Sequence, residues 1–145
     1  MLLNISLVPM TFPELIRSEE ELLEQLLLVS QRQIEIVEMG NANVLVYHLG
    51  RRQRLWQEFE RLEQQLTPHK GIPAEQRIWK NADERQQTEK ALNRCKILLE
   101  KIMENDQISL AKTAELKDKV EKDLRRVQLA ASVAPAYLKQ SQIQQ

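Results

Sequence analysis

Residues 104–132 read ENDQISLAKTAELKDKVEKDLRRVQLAAS, and the reading of this stretch decides the fold. It follows a strong apolar stripe of Leu92, Cys95, Leu99 and Ile102, and it opens on a polar interruption, Asn105-Asp106-Gln107. Beyond that, Leu110, Leu116, Val120, Leu124, Val127 and Ala131 recur at spacings of six, four, four, three and four. Such spacing reads as one thin helical face. The other faces carry charges paired four residues apart: Glu115 with Lys119, Asp118 with Lys122, Glu121 with Arg125. Each such pair supports an exposed helix by about 0.2–0.5 kcal/mol. Neither glycine nor proline occurs between Pro73 and Pro135, so one long helix is predicted from about residue 75 to residue 132.

The segments before it are shorter. Thr11-Phe12-Pro13-Glu14 is a helix start, with a capping threonine, a proline in the first turn and a glutamate three residues on. Leu15, Leu22, Leu26 and Val29 keep helical spacing, Leu23 and Leu27 widen the stripe, and Ile36 or Val37 continues it up to Met39-Gly40. Glycine accepts the left-handed turn that ends a helix. Asn41 then caps a second helix over 42–66, in which His48, Arg52, Leu55, Phe59, Leu62 and Leu66 alternate four and three residues apart. Thr67-Pro68-His69-Lys70-Gly71-Ile72-Pro73 reads as a break suited to an antiparallel return. The third helix begins between Ala74 and Asp83, with a second capping signal at Asn81-Ala82-Asp83-Glu84.

The fold class that follows is all-α: an antiparallel helical hairpin plus a long third helix, as a three- or four-helix, coiled-coil-like bundle. Helices at 12–39, 42–66 and 75–132 form a single domain spanning 1–145, with a flexible tail at 133–145. At 1.5 Å per residue the first two helices are roughly 37–42 Å long and the third roughly 85 Å. Two short helices cannot cover one that long. Either the third helix breaks near Asn105-Asp106-Gln107 and its last piece folds back as a fourth helix, or its C-terminal part protrudes. In the second case the stripe is a docking face for a helix from a client or from a second copy of the chain.

Composition narrows the function. The 21 basic and 21 acidic residues give a net charge of zero, without the electrostatic footprint of a nucleic-acid binder. Charge is uneven, however. Residues 1–39 are acidic, Arg51, Arg52 and Arg54 cluster, and 112–126 is more basic, so an acidic first helix is expected beside basic neighbours. Aromatic residues are only 4% of the chain, so Leu, Ile, Val and Ala must build the core. The single cysteine, Cys95, permits no internal disulfide and suits a small buried position in a reducing compartment. The apolar N-terminus, Met1 to Val8, has no basic leader and is cut short by Pro9, so neither a signal peptide nor a membrane span is expected.

No motif carries chemistry. His48 and His69 have no metal-ligand spacing, no glycine-rich phosphate loop or nucleophile motif occurs, and acid pairs such as Glu20-Glu21 and Asp83-Glu84 read as solvated faces. The expectation is a binding protein with no catalytic, metal or cofactor residues.

Four stretches carry a family resemblance. Glu38 to Leu49 followed by Arg52 to Leu62, with Glu104 to Leu110 and Pro135-Ala136-Tyr137, resembles the FlgN-like chaperones of flagellar type III export. In that family a long helix ends at a small polar turn and a Leu-patterned helix follows. Two positions depart from the family pattern: Ser109 stands near a frequent second asparagine, and Leu138-Lys139-Gln140 follows the tyrosine where a glycine is common. The resemblance implies a bacterial cytoplasmic chaperone that binds the amphipathic terminal helices of flagellar hook-associated proteins. It would keep these clients monomeric and deliver them to an export-gate component. Leu110, Leu116, Val120, Leu124, Val127 and Ala131 would line the client face, and Tyr137 would contact the export apparatus. The alternative is a homodimeric helical scaffold or adaptor that uses the same stripe for self-pairing.

Overall fold

The computed structural model describes residues 9–143, with side chains to Ser132. Three helices make it up: α1 (Phe12–Met39), α2 (Ala42–Lys70) and α3 (Ala82–Ile143). Among the described residues there is no strand. The chain is therefore all-α, as its periodicity predicts.

The helix starts form where short polar side chains can satisfy free N–H groups. Thr11 Oγ1 accepts from Glu14 N at 3.4 Å, Asn41 Oδ1 from Val44 N at 3.2 Å, and Asn81 Oδ1 from Glu84 N at 2.8 Å. The Glu84 carboxylate reaches back to Lys80 N at 3.1 Å. The capping signal at Asn81 is used, so the helix starts at Ala82 rather than near 75. Ahead of it, Ala74–Gln76 forms only a short 3-10 turn. Gly40, at φ 70°, makes the left-handed turn between α1 and α2.

Two helix ends lie beyond their expected positions. α2 runs through Pro68 to Lys70 instead of stopping at Leu66. A proline in the last turn forfeits one bond of the helical ladder, and Gln64, whose carbonyl it leaves without that bond, is an exposed residue. α3 passes through Pro135 to Ile143, where the sequence reads as a flexible tail. The alanines and long unbranched residues around Pro135 are good helix formers.

The hairpin predicted from Gly40 is present, and α1 is the central helix, packed against both α2 and α3. α2 runs back along α1. α3 then runs parallel to α1, because Glu20 pairs with Arg94, Ser30 with Asn105 and Glu38 with Lys112. The acidic first helix thus meets basic side chains on α3, as the charge distribution suggests. Such exposed pairs set register more than stability.

The core has two parts. At the base, Phe12, Leu15, Ile16, Leu66 and Ala91 pack together with Leu62 and Trp79. Arg77 lies over the Phe12 ring at 4.1 Å and donates from Nη2 to the His69 carbonyl at 2.9 Å, fastening the 71–81 connection to this end. In the middle, Leu22, Leu23, Leu26, Cys95 and Ile102 pack against Leu55, Trp56, Phe59, Leu98 and Leu99. Trp56 and Phe59 meet edge to face, with centroids 5.3 Å apart. Burial in this apolar setting, with Glu19 and Glu20 adding to it, pushes the Cys95 thiol up to about 12, so it is a packing residue rather than a nucleophile.

Among the described residues one carboxyl group is buried inside the bundle. Glu19 is 7% exposed, and its Oε2 has no hydrogen-bond partner. Burial first, and then the neighbouring Glu63 carboxylate, push it up to about 7. Lys70, paired with Glu63, offsets part of this repulsion.

Candidate partner-binding site on the third helix

The far end of the bundle is polar, and this polarity explains the interruption at Asn105-Asp106-Gln107. The helix does not break there: α3 is continuous from Ala82 to Ile143. Asn105 Nδ2 donates to Ser30 Oγ at 3.0 Å. Arg52 of α2 grips Asp106 with both guanidinium Nη atoms, each at 2.6 Å, and also donates to Gln33 Oε1 at 2.8 Å. His48 is buried and donates from Nε2 to the Val29 carbonyl at 2.8 Å. The polar residues are thus the cross-links of the three helices. A bidentate guanidinium–carboxylate pair fixes both distance and orientation.

This layer lies close to where α1 ends. Leu116 is half-buried, with Cδ1 3.8 Å from the point where a side chain on Gly40 would begin, so it closes the top of the bundle. Past Leu116 there is no α1 left to meet. The face of α3 that buries Ala91, Cys95, Ile102 and Ser109 against α1 continues, turn after turn, into Val120, Leu124, Val127 and Ala131. Val120 is 56% exposed, Leu124 54% and Val127 65%, and Ala131 is exposed. From residue 117 to Ile143 the helix extends about 40 Å beyond its partner.

The structure regroups the expected site residues. Leu116 belongs to the bundle rim, while Val120, Leu124, Val127 and Ala131 form one unpartnered row. Leu110 does not join them. Six residues separate it from Leu116, which turns it about 120° away on a 3.6-residue helix, and it is 72% exposed on another flank. Tyr137 has its side chain outside the described residues. The Arg51–Arg54 cluster divides similarly, since Arg52 is structural while Arg51 and Arg54 are exposed.

The chain matches no family model, no curated protein and no solved structure.

Elsewhere the surface offers two clefts of note. One, of about 550 Å³, lies between the starts of α1 and α3, and its lining includes Arg17, Glu20, Asp83, Glu84 and Arg94. These charges are of mixed sign, and two of them, Glu20 and Arg94, already pair with each other. The other, of about 520 Å³, opens at the base beside Phe12, Ile72, Ile78 and Trp79. Among the described residues no group of His, Cys, Asp or Glu side chains could hold a metal ion, and no helix is long and apolar enough to cross a membrane. What the molecule offers chemically is apolar helix surface, and the row beyond Leu116 is the part that continues a core-facing stripe past the end of α1.

Proposed function

We propose that this protein is a helix-capturing chaperone. Its three-helix bundle serves as a rigid base, and the row Val120, Leu124, Val127 and Ala131 receives an amphipathic helix from a client. The single observation that supports this reading is the overhang: an apolar face built to pack against a helix runs on after its own partner helix has ended. An apolar row at helical spacing is a common seat for an amphipathic segment. Clients of this kind would otherwise self-associate through the same stripe, and covering it keeps them separate. The sequence resemblance supports a more specific form, in which the clients are the terminal helices of flagellar hook-associated proteins handed to an export gate in the cytoplasm.

Titrating synthetic peptides from such terminal helices against Val120→Asp/Leu124→Asp tests the reading. Leu116 is not a suitable target, because it closes the bundle. The expected result is at least tenfold weaker binding than wild type, with helicity by circular dichroism unchanged. Undiminished binding by a folded variant would sink the proposal.

A further inference from the structure

α3 carries a second apolar row, on the flank turned toward α2. Leu92, Leu99, Met103 and Leu110 stand seven, four and seven residues apart. Leu99, like Trp56 and Phe59 of α2, packs against the middle core, and Asp106, in the same row, is held by Arg52 of α2. Yet α2 does not close over this flank. Among the described residues no Cα of α2 lies within 8 Å of a Cα of α3, and long side chains span the gap. Leu49 and Trp56 flank Arg52 on one side of it, while Met103 and Leu110, largely exposed, flank Asp106 on the other. Two helices that share a central partner but leave a gap between themselves form a four-helix bundle with one place open.

The spacing also continues upward, drifting about 20° per heptad from this flank onto the neighbouring face. From Leu99 it passes Met103, Asp106, Leu110 and the polar Thr113 and Lys117 to Val120, Leu124, Val127 and Ala131, in alternating steps of four and three. That is a strict heptad seam, the signature of a coiled coil. It is also self-complementary. Turned end for end about Glu115, it places Leu110 opposite Val120, Met103 opposite Val127 and Leu99 opposite Ala131. Leu124 then lies over the Arg52–Asp106 pair, which already satisfies that carboxylate, and Thr113 meets Lys117. On the flank, Glu121 faces Gln107 and Ala114, so no like charges oppose one another there. Length fits as well, since about 40 Å of overhang lies beside a bundle of similar length.

We infer that two copies of this chain pair antiparallel through α3, the overhang of each filling the open place between α2 and α3 of the other. The occupant of that place is a second copy, and the product is two four-helix bundles joined end to end. This inference does not need the chaperone reading. If both hold, a client helix competes with the second copy for the overhang.

Sedimentation equilibrium of the full chain at tens of micromolar should give twice the 17.0 kDa mass, and Val120→Asp/Val127→Asp should return it to a monomer. Both valines are exposed in one copy, so that variant keeps its fold. Cysteine pairing then reads the register. Leu110→Cys alone and Val120→Cys alone should form few intermolecular disulfides, and an equimolar mixture at least tenfold more. Cys95 is buried and stays silent. A monomer at tens of micromolar overturns the inference, as does cross-linking of Leu110→Cys with itself, which marks a parallel pair. If the chaperone reading alone is wrong, the cross-links persist and client peptides do not bind. If the pairing alone is wrong, peptides bind and the cross-links are missing.

Discussion

The two halves of α3 make an internal control. From Ala82 to Leu116 the helix lies along α1 and buries Ala91, Cys95 and Ile102. From 117 to 132 the same kind of residue, at the same spacing, faces solvent. Neither helical periodicity nor amphipathic character distinguishes the halves. The difference comes from length: α1 has 28 residues and α3 has 62. An apolar stripe in a sequence therefore identifies a face that wants a partner, and only the geometry of the rest of the chain says whether that partner is already present.

The comparison breaks most visibly where α1 is cut into. Leu23 is 0% exposed at the centre of the middle core, and Leu23→Ala should cost about 2–5 kcal/mol, as removal of buried methyl groups does. Urea denaturation followed by circular dichroism measures it. A loss under 1 kcal/mol would mean that α1 is not the element on which the bundle depends.

Much of this was legible in the sequence. The hairpin turn at Gly40, the caps at Thr11, Asn41 and Asn81, and the seam placing His48 and Arg52 inward all follow from local rules. Local rules do not reveal partners far along the chain. Asn105-Asp106-Gln107 reads as an interruption because polar residues leave a gap in an apolar stripe. What fills the gap is Arg52, 54 residues earlier, and Ser30, 75 residues earlier. Leu110 differs in another way. The six-residue step to Leu116 moves it to another flank, and it is linked to Val120 only through the heptad spacing that passes Thr113 and Lys117. The heptad through Leu99, Met103 and Leu110 was present in the sequence as well, but it was masked by the neighbouring row that packs on α1.

A second, smaller effect separates the halves by pH. Glu19 has a folded pKa of about 7 against an ordinary 4.5, so its neutral form favours the fold. Its contribution is fully present below pH 4.5, is lost as pH rises toward 7, and stays lost above that. The loss is on the order of 3 kcal/mol. Glu19→Gln, which is neutral at every pH and can donate to Glu63, should therefore stabilise the bundle by about 1–3 kcal/mol at pH 8 and have little effect at pH 4. The difference between variant and wild type, measured by denaturation at both pH values, cancels the titrating groups remote from Glu19 and leaves Glu19 with its neighbours Glu63 and Lys70. An equal effect at pH 4 and pH 8 would show that the carboxyl is not held neutral.

The smallest effect expected in dilute solution belongs to the overhang. Val127 is apolar and lies on the same helix as Ile102, but it is 65% exposed where Ile102 is 1%. A surface position with no cover changes stability by no more than about 0.5 kcal/mol when trimmed, so Val127→Ala should leave the denaturation midpoint of a dilute sample where it is. Concentration then changes the outcome. Anything that binds only the folded chain stabilises it by mass action, so a second copy seated on Val127 makes wild-type stability rise with protein concentration, and the valine-to-alanine difference should grow with it. A difference that is already large in dilute solution would mean that the side chain is covered within one molecule. A difference that stays near zero at every concentration, with wild-type stability equally flat, would mean that copies of the chain do not meet there.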